Sequence, residues 1–441
     1  MTTIPTSSIN YDDLIQESSE LGFRISGRLF TDPAIFQEEM EQIFHRGWVF
    51  IGHESEVPES GDYRTRMIGR HSVIMARDED GQVNLLVNRC RHQSATVCQE
   101  EAGNSSYFRC AYHGWVYKNS GELVGVPFPE GYDESFQKEG FGLVKVPRLG
   151  NHRGFVFGSL SPSGQSFEDY LGRAKDYIDR YCDMSPSGEI MASAGRLKIR
   201  YNGNWKFQVQ NITDGYHVHI THATAAGQPP ASGSAWTRGN KIKPSEDPLS
   251  RTRDLGGGHT SLDRSGSLRE LGEDVDDYTS GGAGTLDPEV LEAVAKRLGS
   301  REQAEWIARG GPPHVMIFPN MMLLFNAFRL IEPVSIDQTN LYFYPVLFKG
   351  ASDQINSKRL RETMRNYGPS GFIAPDDCDM YNRMQTGYEN KTLDWSVLNR
   401  GQHIEQMVPD DFGVPTPAAQ YTHETSARAI WRHYKRVMSG A

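Results

Sequence analysis

Residues 88–115 read NRCRHQSATVCQEEAGNSSYFRCAYHGW and contain two short pairs of metal-binding residue types. Cys90 and His92 form a C-x-H pattern, and after seventeen intervening residues Cys110 and His113 form C-x-x-H. Two Cys and two His at this spacing, each pair near the tip of a β-hairpin, predict a closed site with four ligands.

Two kinds of metal group suit such a ligand set. Zinc binds two Cys and two His, but zinc-finger spacing places Cys next to Cys and His next to His. Here each loop supplies one Cys and one His, as expected for a Rieske-type [2Fe–2S] cluster with two Cys on one iron and two His on the other. The pattern therefore favours the cluster over zinc. The remaining cysteines fit neither pair and are interpreted as structural: Cys98, Cys182 and Cys378.

Short β runs surround the two pairs. Residues 71–88, HSVIMARDEDGQVNLLVN, predict a hairpin that turns at Asp80 and Gly81. Residues 107–126, YFRCAYHGWVYKNSGELVGV, predict a second hairpin that turns at 119–121, and RGFVFGSL at 153–160 predicts the last strand. We therefore expect an all-β domain over residues 46–160.

The rest of the chain mixes helical and extended patterns. Residues 10–47 have helical spacing, with Asp32 as a cap before Pro33. Asp287 and Pro288 predict the start of another helix, and residues 424–438 predict an amphipathic one. Strands are expected at 190–210 and 314–348. The polar stretch 225–284 is rich in Gly, Ser and Asp, which predicts a lid, a binding loop or disorder.

Composition excludes several classes of protein. The 441 residues suggest about two or three domains. Lys and Arg number 46 against 56 Asp and Glu, and this net charge of −10 argues against nucleic-acid binding. The longest apolar stretch is too short to span a membrane, and five Cys do not make a disulfide scaffold. With no signal-peptide pattern, we expect a soluble cytoplasmic protein.

A second cluster of metal-binding residue types lies in NWKFQVQNITDGYHVHITHA at 204–223. Asp214, His217, His219 and His222 fall within nine residues. Two His and a carboxylate, with open positions for oxygen, form the triad of non-haem Fe(II) oxygenases. On an ideal helix His219 and His222 lie about 60° apart and His217 and His222 about 140° apart, so helix geometry favours the first pair unless the helix is distorted.

The third ligand of such a triad must come from elsewhere in the chain. Residues 368–380, GPSGFIAPDDCDM, offer Asp376, Asp377 and Asp379. Spacing does not choose among the three, and an acidic first turn of a helix explains them equally well.

Together these segments resemble the large α subunit of Rieske non-haem iron ring-hydroxylating oxygenases of the benzoate and naphthalene dioxygenase type. The resemblance covers about residues 40–438. It rests on CRH and CAYHGW, on N-x-x-D-x-x-H-x-x-x-x-H from Asn211 to His222, and on GPSGF followed by two Asp.

The resemblance implies an α+β fold with an all-β Rieske domain inserted before an α/β catalytic domain, whose central antiparallel sheet is flanked by helices. Residues 1–45 then form an N-terminal helical part of the catalytic domain, 46–160 the Rieske domain and 161–441 the catalytic domain. It also implies ligand sets for the two metal groups. Cys90, His92, Cys110 and His113 bind the [2Fe–2S] cluster, and His217, His222 and Asp377 bind a mononuclear Fe(II).

Two more residues near the iron site take roles from the same resemblance. His219 becomes a non-ligand, which overrides the preference from helix geometry. Asp214 becomes the link between the two metal centres, through His113 of the partner subunit.

The resemblance further implies a substrate pocket, although ordinary core packing explains each of its residues equally well. Some members carry an aromatic residue at the position of Ile373. Arg329 is the nearest charged residue on the 315–330 strand, but strand alternation predicts that it faces away from Leu324 and Asn326. The other pocket candidates are Asn211, Val218, His314, Leu324, Asn326 and Tyr367.

The expected activity is that of a terminal oxygenase that uses O2 and electrons to hydroxylate an aromatic ring, with cis-dihydroxylation of an aromatic carboxylate favoured. No G-x-G-x-x-G fingerprint is evident, so the reductase or ferredoxin is expected to be a separate chain. Arg89, Arg91 and Arg109 could dock that donor or simply be solvated. Alternatives are a Rieske monooxygenase, a pure electron carrier and a zinc-stabilised binding protein. Assembly is expected as an α3 trimer or, with a small β subunit, as α3β3.

Overall fold

The computed structural model describes residues 9–223, 249–272 and 284–440. The chain divides into two compact units, one formed by Phe44–Gln165 and the other by Met1–Ile43 together with Ser166–Ala441. Within the described residues no helix has the length and apolar character needed to cross a membrane.

The unit Phe44–Gln165, which is described throughout, is built from antiparallel sheets joined by turns and short 3-10 segments. This confirms the all-β prediction. Its strands are Val49–His53, Asp62–Ile68, His71–Arg77, Val83–Val87, Ala102–Asn104, Tyr107–Arg109, Val116–Lys118, Leu123–Gly125, Arg148–His152 and Phe155–Ser159.

Both predicted hairpins of this unit are confirmed. His71–Arg77 pairs with Val83–Val87 around a turn in which Gly81 has a φ of +77°. Val116–Lys118 pairs with Leu123–Gly125, and Gly121 in their turn has a φ of +93°. Glycine takes these left-handed values without the penalty a Cβ imposes, which is why both turns form where they do.

The second unit contains, among its described residues, a nine-stranded antiparallel sheet. Its middle strands are nearly continuous apolar runs that are buried along most of their length, as expected of a sheet covered on both faces. In spatial order the strands are Leu197–Tyr201, Gln338–Pro345, Ala327–Ser335, Met321–Leu324, His314–Ile317, His259–Asp263, Arg251–Gly256, Pro415–Gln420 and Gln406–Pro409.

Helices accompany this sheet, which confirms the predicted α+β catalytic part. Asp32 and Asp287 cap helices as predicted, because each carboxylate accepts a hydrogen bond from the amide two residues later and a proline follows. In the part of the chain that the structure describes, the helices are Tyr11–Leu14, Arg28–Thr31, Pro33–Glu39, Phe167–Leu171, Ala174–Asp183, Lys206–Asn211, Val218–Thr221, Ser265–Glu270, Pro288–Leu298, Arg301–Arg309, Asp353–Tyr367, Ala374–Glu389 and Thr425–Met438.

The helical interpretation of residues 10–47 is wrong for part of the segment. Ile15–Ser18 and Gly22–Ser26 are paired strands, and Gly22–Ser26 also pairs with Trp395–Val397. The helix Pro33–Glu39 continues as a π-helix over Met40–His45. A strand that pairs with a segment about 370 residues away has a tertiary partner, which local spacing does not reveal.

Part of the polar stretch 225–284 forms regular secondary structure, contrary to the prediction. Residues 224–248 and 273–283 lie outside the described residues, so the lid or loop prediction is not tested there. Between them, Arg251–Gly256 and His259–Asp263 form a hairpin in the large sheet. The hydroxyl side chains of Thr252, Thr260 and Ser261 in this hairpin are buried, and the Thr260 hydroxyl lies 2.9 Å from that of Thr213. A polar composition therefore does not exclude a buried strand.

Candidate functional site

Cys90 and Cys110 lie in two loops with the same backbone hydrogen bonds. The Cys90 amide donates to the carbonyl of Ala95, and the Cys110 amide donates to the carbonyl of Trp115, each at 2.8 Å. Four residues after each Cys, the backbone amide donates a hydrogen bond to the carbonyl of that Cys. The two donors are Ser94 and Gly114, and both have a left-handed backbone conformation. The fold thus presents the two Cys and their neighbouring His in equivalent ways.

The histidines of the two loops meet at the edge of this unit. Nδ1 of His92 lies 3.1 Å from Nδ1 of His113, a separation suited to two imidazoles on one metal ion. Cys90 and Cys110 are buried, whereas His113 is exposed. The ring of His92 stacks on Trp115 with 5.2 Å between ring centroids, which holds the imidazole in place.

This donor set fits a two-iron cluster better than a single zinc ion. Ligand atoms of one tetrahedral zinc all lie close together. Among the described residues, the one group of three or more such atoms found within 4.8 Å of one another is elsewhere in the chain. Buried Cys on one side and paired His on the other match the two different irons of a Rieske cluster.

Tyr117 contacts this site and was not singled out from the sequence. Its hydroxyl lies 3.2 Å from Sγ of Cys90 and accepts a hydrogen bond from the Arg91 amide at 3.1 Å. Burial raises the pKa of Tyr117, so the phenol stays protonated and can donate toward a Cys sulfur. The available signal was an aromatic residue at an inward position of the strand after C-x-x-H.

The second unit brings His217, His222 and Asp377 together. One nitrogen from each imidazole and one carboxylate oxygen lie within 4.8 Å of one another. Oδ1 of Asp377 is 3.1 Å from Nε2 of His222 and 3.6 Å from Nε2 of His217. Two imidazoles and one carboxylate are the ligand set of non-haem Fe(II) oxygenases, so these side chains fit a single ion of that kind.

The ideal-helix argument that favoured His219 fails in the structure. The helix covers only Val218–Thr221, and His222 lies past its end with φ −100° and ψ 27°. The ideal helical rotation of 100° per residue therefore does not describe the angle between the side chains of His222 and the two preceding histidines. The ring of His219 lies 6.3 Å from that of Tyr421, outside the three-residue cluster.

The structure also separates the three candidate aspartates, all of which lie in the helix Ala374–Glu389. Asp377 is buried in the cluster. Oδ2 of Asp376 lies 3.5 Å from Nδ1 of His222, on the other side of that ring. Asp379 forms an exposed ion pair with Arg383 at 2.7 Å.

Two polar side chains, Asn211 and Asp214, contact the candidate ligands. Nδ2 of Asn211 donates to Oδ1 of Asp377 at 3.2 Å and lies 3.2 Å from Nε2 of His217. Oδ2 of Asp214 lies 3.2 Å from Nδ1 of His217, while its Oδ1 accepts a hydrogen bond from the Tyr216 amide at 2.6 Å. His217 and Asp377 are therefore each contacted by a neighbour that can orient them.

Opposite charges dominate the electrostatics of the cluster. Burial acts to lower the pKa of His217, but the carboxylates of Asp214 and Asp377 outweigh it and raise that pKa. Burial acts to raise the pKa of Asp377, but His222 and His217 outweigh it and keep that pKa low. The carboxylate is thus held in the ionised form that binds a cation.

A cavity opens beside the three candidate ligands. Most of the predicted pocket residues line it: Asn211, Val218, His314, Leu324, Tyr367 and Ile373. Burial, together with Arg264 and Arg329, lowers the pKa of His314 to about 3, so its imidazole is neutral. Lining residues that were not predicted include Ile212, Leu262, Arg264, Phe325, Arg329 and Tyr421.

The assignment of Asn326 to the pocket is wrong. Asn326 lies in the turn after Met321–Leu324 and is not among the lining residues. Its Nδ2 donates to the carbonyl of Arg359 at 2.5 Å, and its own carbonyl accepts from the Val346 amide at 2.8 Å. It therefore fixes the turn and takes no part in the cavity.

The prediction that Arg329 faces away from Leu324 is also wrong, because Arg329 lines the cavity. The expected alternation assumed one continuous strand. Instead Met321–Leu324 and Ala327–Ser335 are two strands of a hairpin, and Phe325 in the turn has a φ of +50°. Met322 pairs with Arg329, and two directly paired residues have their side chains on the same face of the sheet. Leu324, two residues after Met322 in its strand, shares that face.

Comparison with known proteins covers both units. Residues 47–142 match the family described as Rieske [2Fe-2S] domain. Residues 167–440 match the family described as ring hydroxylating alpha subunit (catalytic domain).

Two curated relatives match over most of their length. The anthranilate 1,2-dioxygenase large subunit of Acinetobacter baylyi is 32% identical over 422 residues, covering 91% of this chain and 86% of that protein. The toluate 1,2-dioxygenase subunit alpha of Pseudomonas putida is 32% identical over 392 residues, covering 86% and 82%. Among solved structures, naphthalene 1,2-dioxygenase with indole in the active site has a TM-score of 0.80 at 29% identity, covering 98% and 95%.

Proposed function

The chain belongs to the α subunits of ring-hydroxylating dioxygenases, and we propose that it converts an aromatic carboxylate to a cis-diol. Like that family, it carries a Rieske cluster and a mononuclear iron and depends on a separate reductase or ferredoxin for electrons. The observation that carries the proposal is the cluster His217, His222 and Asp377 at the wall of a cavity that apolar and aromatic side chains line on the remaining sides together with two arginines. Relatives named for anthranilate, 2-halobenzoate and toluate, all benzoic acids, support the substrate class.

We assign the ligands of both metal groups on the same basis. His217, His222 and Asp377 would hold the iron, and Cys90, His92, Cys110 and His113 would hold the cluster. When bound, the cluster supplies single electrons and the iron activates O2 for attack on the ring.

The remaining residues of the site would position these groups and the substrate. Asp214, with Oδ2 3.2 Å from Nδ1 of His217, would accept the proton of that nitrogen and so turn Nε2 toward the iron position. Asn211 holds the Asp377 carboxylate from the side. Ile373, Leu324 and Val218 exclude water from the cavity and offer an apolar wall to an aromatic ring.

Substrate class and product are tested together. The purified oxygenase, supplied with a surrogate reductase, is assayed for O2 uptake with benzoate, 2-aminobenzoate, toluene and naphthalene. We expect the acids to be preferred. Mass spectrometry after reaction in 18O2 distinguishes a cis-diol with two labelled oxygens from a monohydroxylated or dealkylated product with one. A single labelled oxygen would replace our proposal with the monooxygenase alternative.

We propose further that the chain assembles as α3β3 with a small β subunit, or as an α3 trimer. The supporting observation is its similarity over 90% or more of both chains to naphthalene dioxygenase large components. Native mass measurement of the chain, alone and co-expressed with a candidate β subunit, tests this, and a stable active monomer contradicts it. We also retain the domain boundaries 1–45, 46–160 and 161–441, supported by the division of contacts at 43/44 and 165/166.

A further inference from the structure

A buried arginine lines the same cavity as the three candidate iron ligands. Arg329 is 1% exposed and belongs to the strand Ala327–Ser335. Arginine stays charged at all accessible pH values, and burying its guanidinium without a counter-charge is strongly unfavourable. Its position beside an open cavity therefore calls for an explanation.

Arg329 forms no ion pair with an acidic side chain among the described residues, although its charge helps to lower the pKa of Asp377. Its guanidinium carbon lies 4.6 Å from the ring centroids of Phe343 and Tyr367, on which it rests. Its Nε has no hydrogen-bond acceptor in the described part of the chain. Asp377, the acidic residue of the same cavity, is instead engaged by Asn211 and by the two candidate histidine ligands.

Tyr367 supplies a second unsatisfied donor at the same place. Its side chain is fully buried and lines the cavity. Its hydroxyl finds no acceptor within the described residues, because its polar neighbour Arg329 is itself a donor. A phenol is protonated at neutral pH and can donate one hydrogen bond. Buried polar groups without partners are rare in native proteins, and two adjacent ones indicate a missing ligand with acceptor atoms.

The charge of the cavity favours an anionic ligand. With a divalent ion held by the triad, that ion and Arg329 together carry three positive charges. Asp377 and the partly exposed Asp214 and Asp376 supply three negative ones, and Arg264 adds another positive charge at the cavity wall, which leaves an excess of one positive charge. An anionic substrate would offset the excess, whereas a hydrocarbon would leave it buried.

Arg264 is a weaker candidate for the same role. It lines the cavity but is partly exposed, and its guanidinium carbon lies 5.8 Å from the ring centroid of Tyr421. Because Arg264 is partly hydrated, an ion pair with a ligand contributes less binding free energy there than at the desolvated Arg329.

We propose that Arg329 and the Tyr367 hydroxyl form an anion-binding subsite for the carboxylate of the aromatic substrate. Arg329 is then the specificity-determining residue that selects aromatic acids over neutral arenes. This inference rests on the proposed function, because it names the group that recognises the proposed substrate class.

Equilibrium binding tests the subsite without turnover. Benzoate and its neutral isostere benzamide are titrated into the anaerobic, oxidised holoenzyme, followed by calorimetry. In Arg329→Met, which keeps the length of the side chain, we expect benzoate affinity to fall by about 100-fold and benzamide affinity to change by less than about 3-fold. In Tyr367→Phe we expect a smaller loss, about 5-fold, again for benzoate only.

Arg359 provides a matched control. It is also buried, rests on an aromatic ring with its guanidinium carbon 3.6 Å from the Phe348 centroid, and donates from Nε to the Val346 carbonyl at 2.8 Å. It is not among the cavity residues. Arg359→Met should lower stability yet keep the wild-type ratio of benzoate to benzamide affinity.

The possible outcomes separate the subsite from the proposed function. Equal weakening of benzoate and benzamide in Arg329→Met, with iron content retained, would overturn the subsite. So would a wild-type enzyme that binds the two ligands equally well. A wild-type enzyme that oxidises toluene and naphthalene but no acid would overturn the proposed function. In that case the difference in benzoate affinity between the wild type and Arg329→Met would still test whether Arg329 binds a carboxylate.

Discussion

Oδ2 of Asp214 lies 3.2 Å from Nδ1 of His217, whereas Nε2 of the same ring faces Asp377. The carboxylate thus holds the imidazole by the nitrogen that is not directed at the candidate iron position. A metal-bound histidine commonly donates its second N–H to a carboxylate, which fixes its tautomer and orientation. We therefore expect Asp214 to orient His217 without binding the iron itself.

Replacing Asp214 should separate metal content from electron delivery. We expect Asp214→Ala to keep the cluster and much of the mononuclear iron but to stop electrons reaching it. Asp214→Asn should preserve assembly and lower turnover strongly, because an amide keeps one hydrogen bond but not the charge. The measurement is single-turnover oxidation of the pre-reduced cluster with substrate and O2 present. Asp379→Asn, which removes only an exposed ion pair, serves as the control. Wild-type coupling in Asp214→Ala would show that this carboxylate is not the link.

Substitutions of the triad should remove one metal and spare the other. His217→Ala, His222→Ala and Asp377→Ala are each expected to lose the mononuclear iron and all product while keeping the absorption of the cluster. Metal analysis and visible spectra of the purified variants measure both. His219→Ala is the matched control and should retain iron and measurable activity, because its ring lies against Tyr421. Iron lost from His219→Ala but kept in His217→Ala would reverse the ligand assignment.

The cluster assignment predicts a complementary loss. Cys110→Ser should remove the colour of the cluster and its labile sulfide, because a hydroxyl is a poor substitute for a thiolate ligand. Cys98→Ser is the control, since Cys98 is also buried in this unit but contacts the carbonyl of Glu100. Inorganic sulfide per chain is the readout. Full sulfide in Cys110→Ser would be incompatible with a cluster at this site.

A buried ion pair should make the stability of the second unit depend on the charge of one side chain, Glu39. Glu39 is fully buried and accepts hydrogen bonds from Lys206 at 2.5 Å, from Tyr434 at 2.6 Å and from Trp205 at 2.8 Å. Glu39→Gln should lower the free energy of unfolding by about 3 to 5 kcal/mol, because it leaves the buried Lys206 ammonium without a counter-charge.

Thermal and urea unfolding measure this effect. The partly exposed neighbour Glu38 is the control, and Glu38→Gln should cost about 1 kcal/mol or less. The double variant Glu39→Gln, Lys206→Met should recover part of the loss, because it removes the unpaired charge. A double variant less stable than Glu39→Gln alone would show that charge pairing is not the cause.

Local patterns were sufficient to predict much of this protein. The spacing of Cys90, His92, Cys110 and His113 indicated a two-loop cluster site, and the two loops have matching hydrogen bonds. Glycine turns and aspartate caps placed hairpins and helix starts correctly, because these signals act over only a few residues. The motif from Asn211 to His222 marked the helix segment that carries two of the three candidate iron ligands.

Only the tertiary structure decided which residues share a space. The helix ends at Thr221, so His222 lies outside it and the angles of an ideal helix do not apply to this pair of residues. As a result His217, rather than His219, lies beside His222 and Asp377. Arg329 lines the cavity because a hairpin pairs it with Met322 and so places it on the same face of the sheet as Leu324. In one continuous strand the two residues would lie on opposite faces. Sequence spacing measures distance along one element, whereas a site forms where separate elements meet, and the packing of the whole sheet and its helices sets that meeting point.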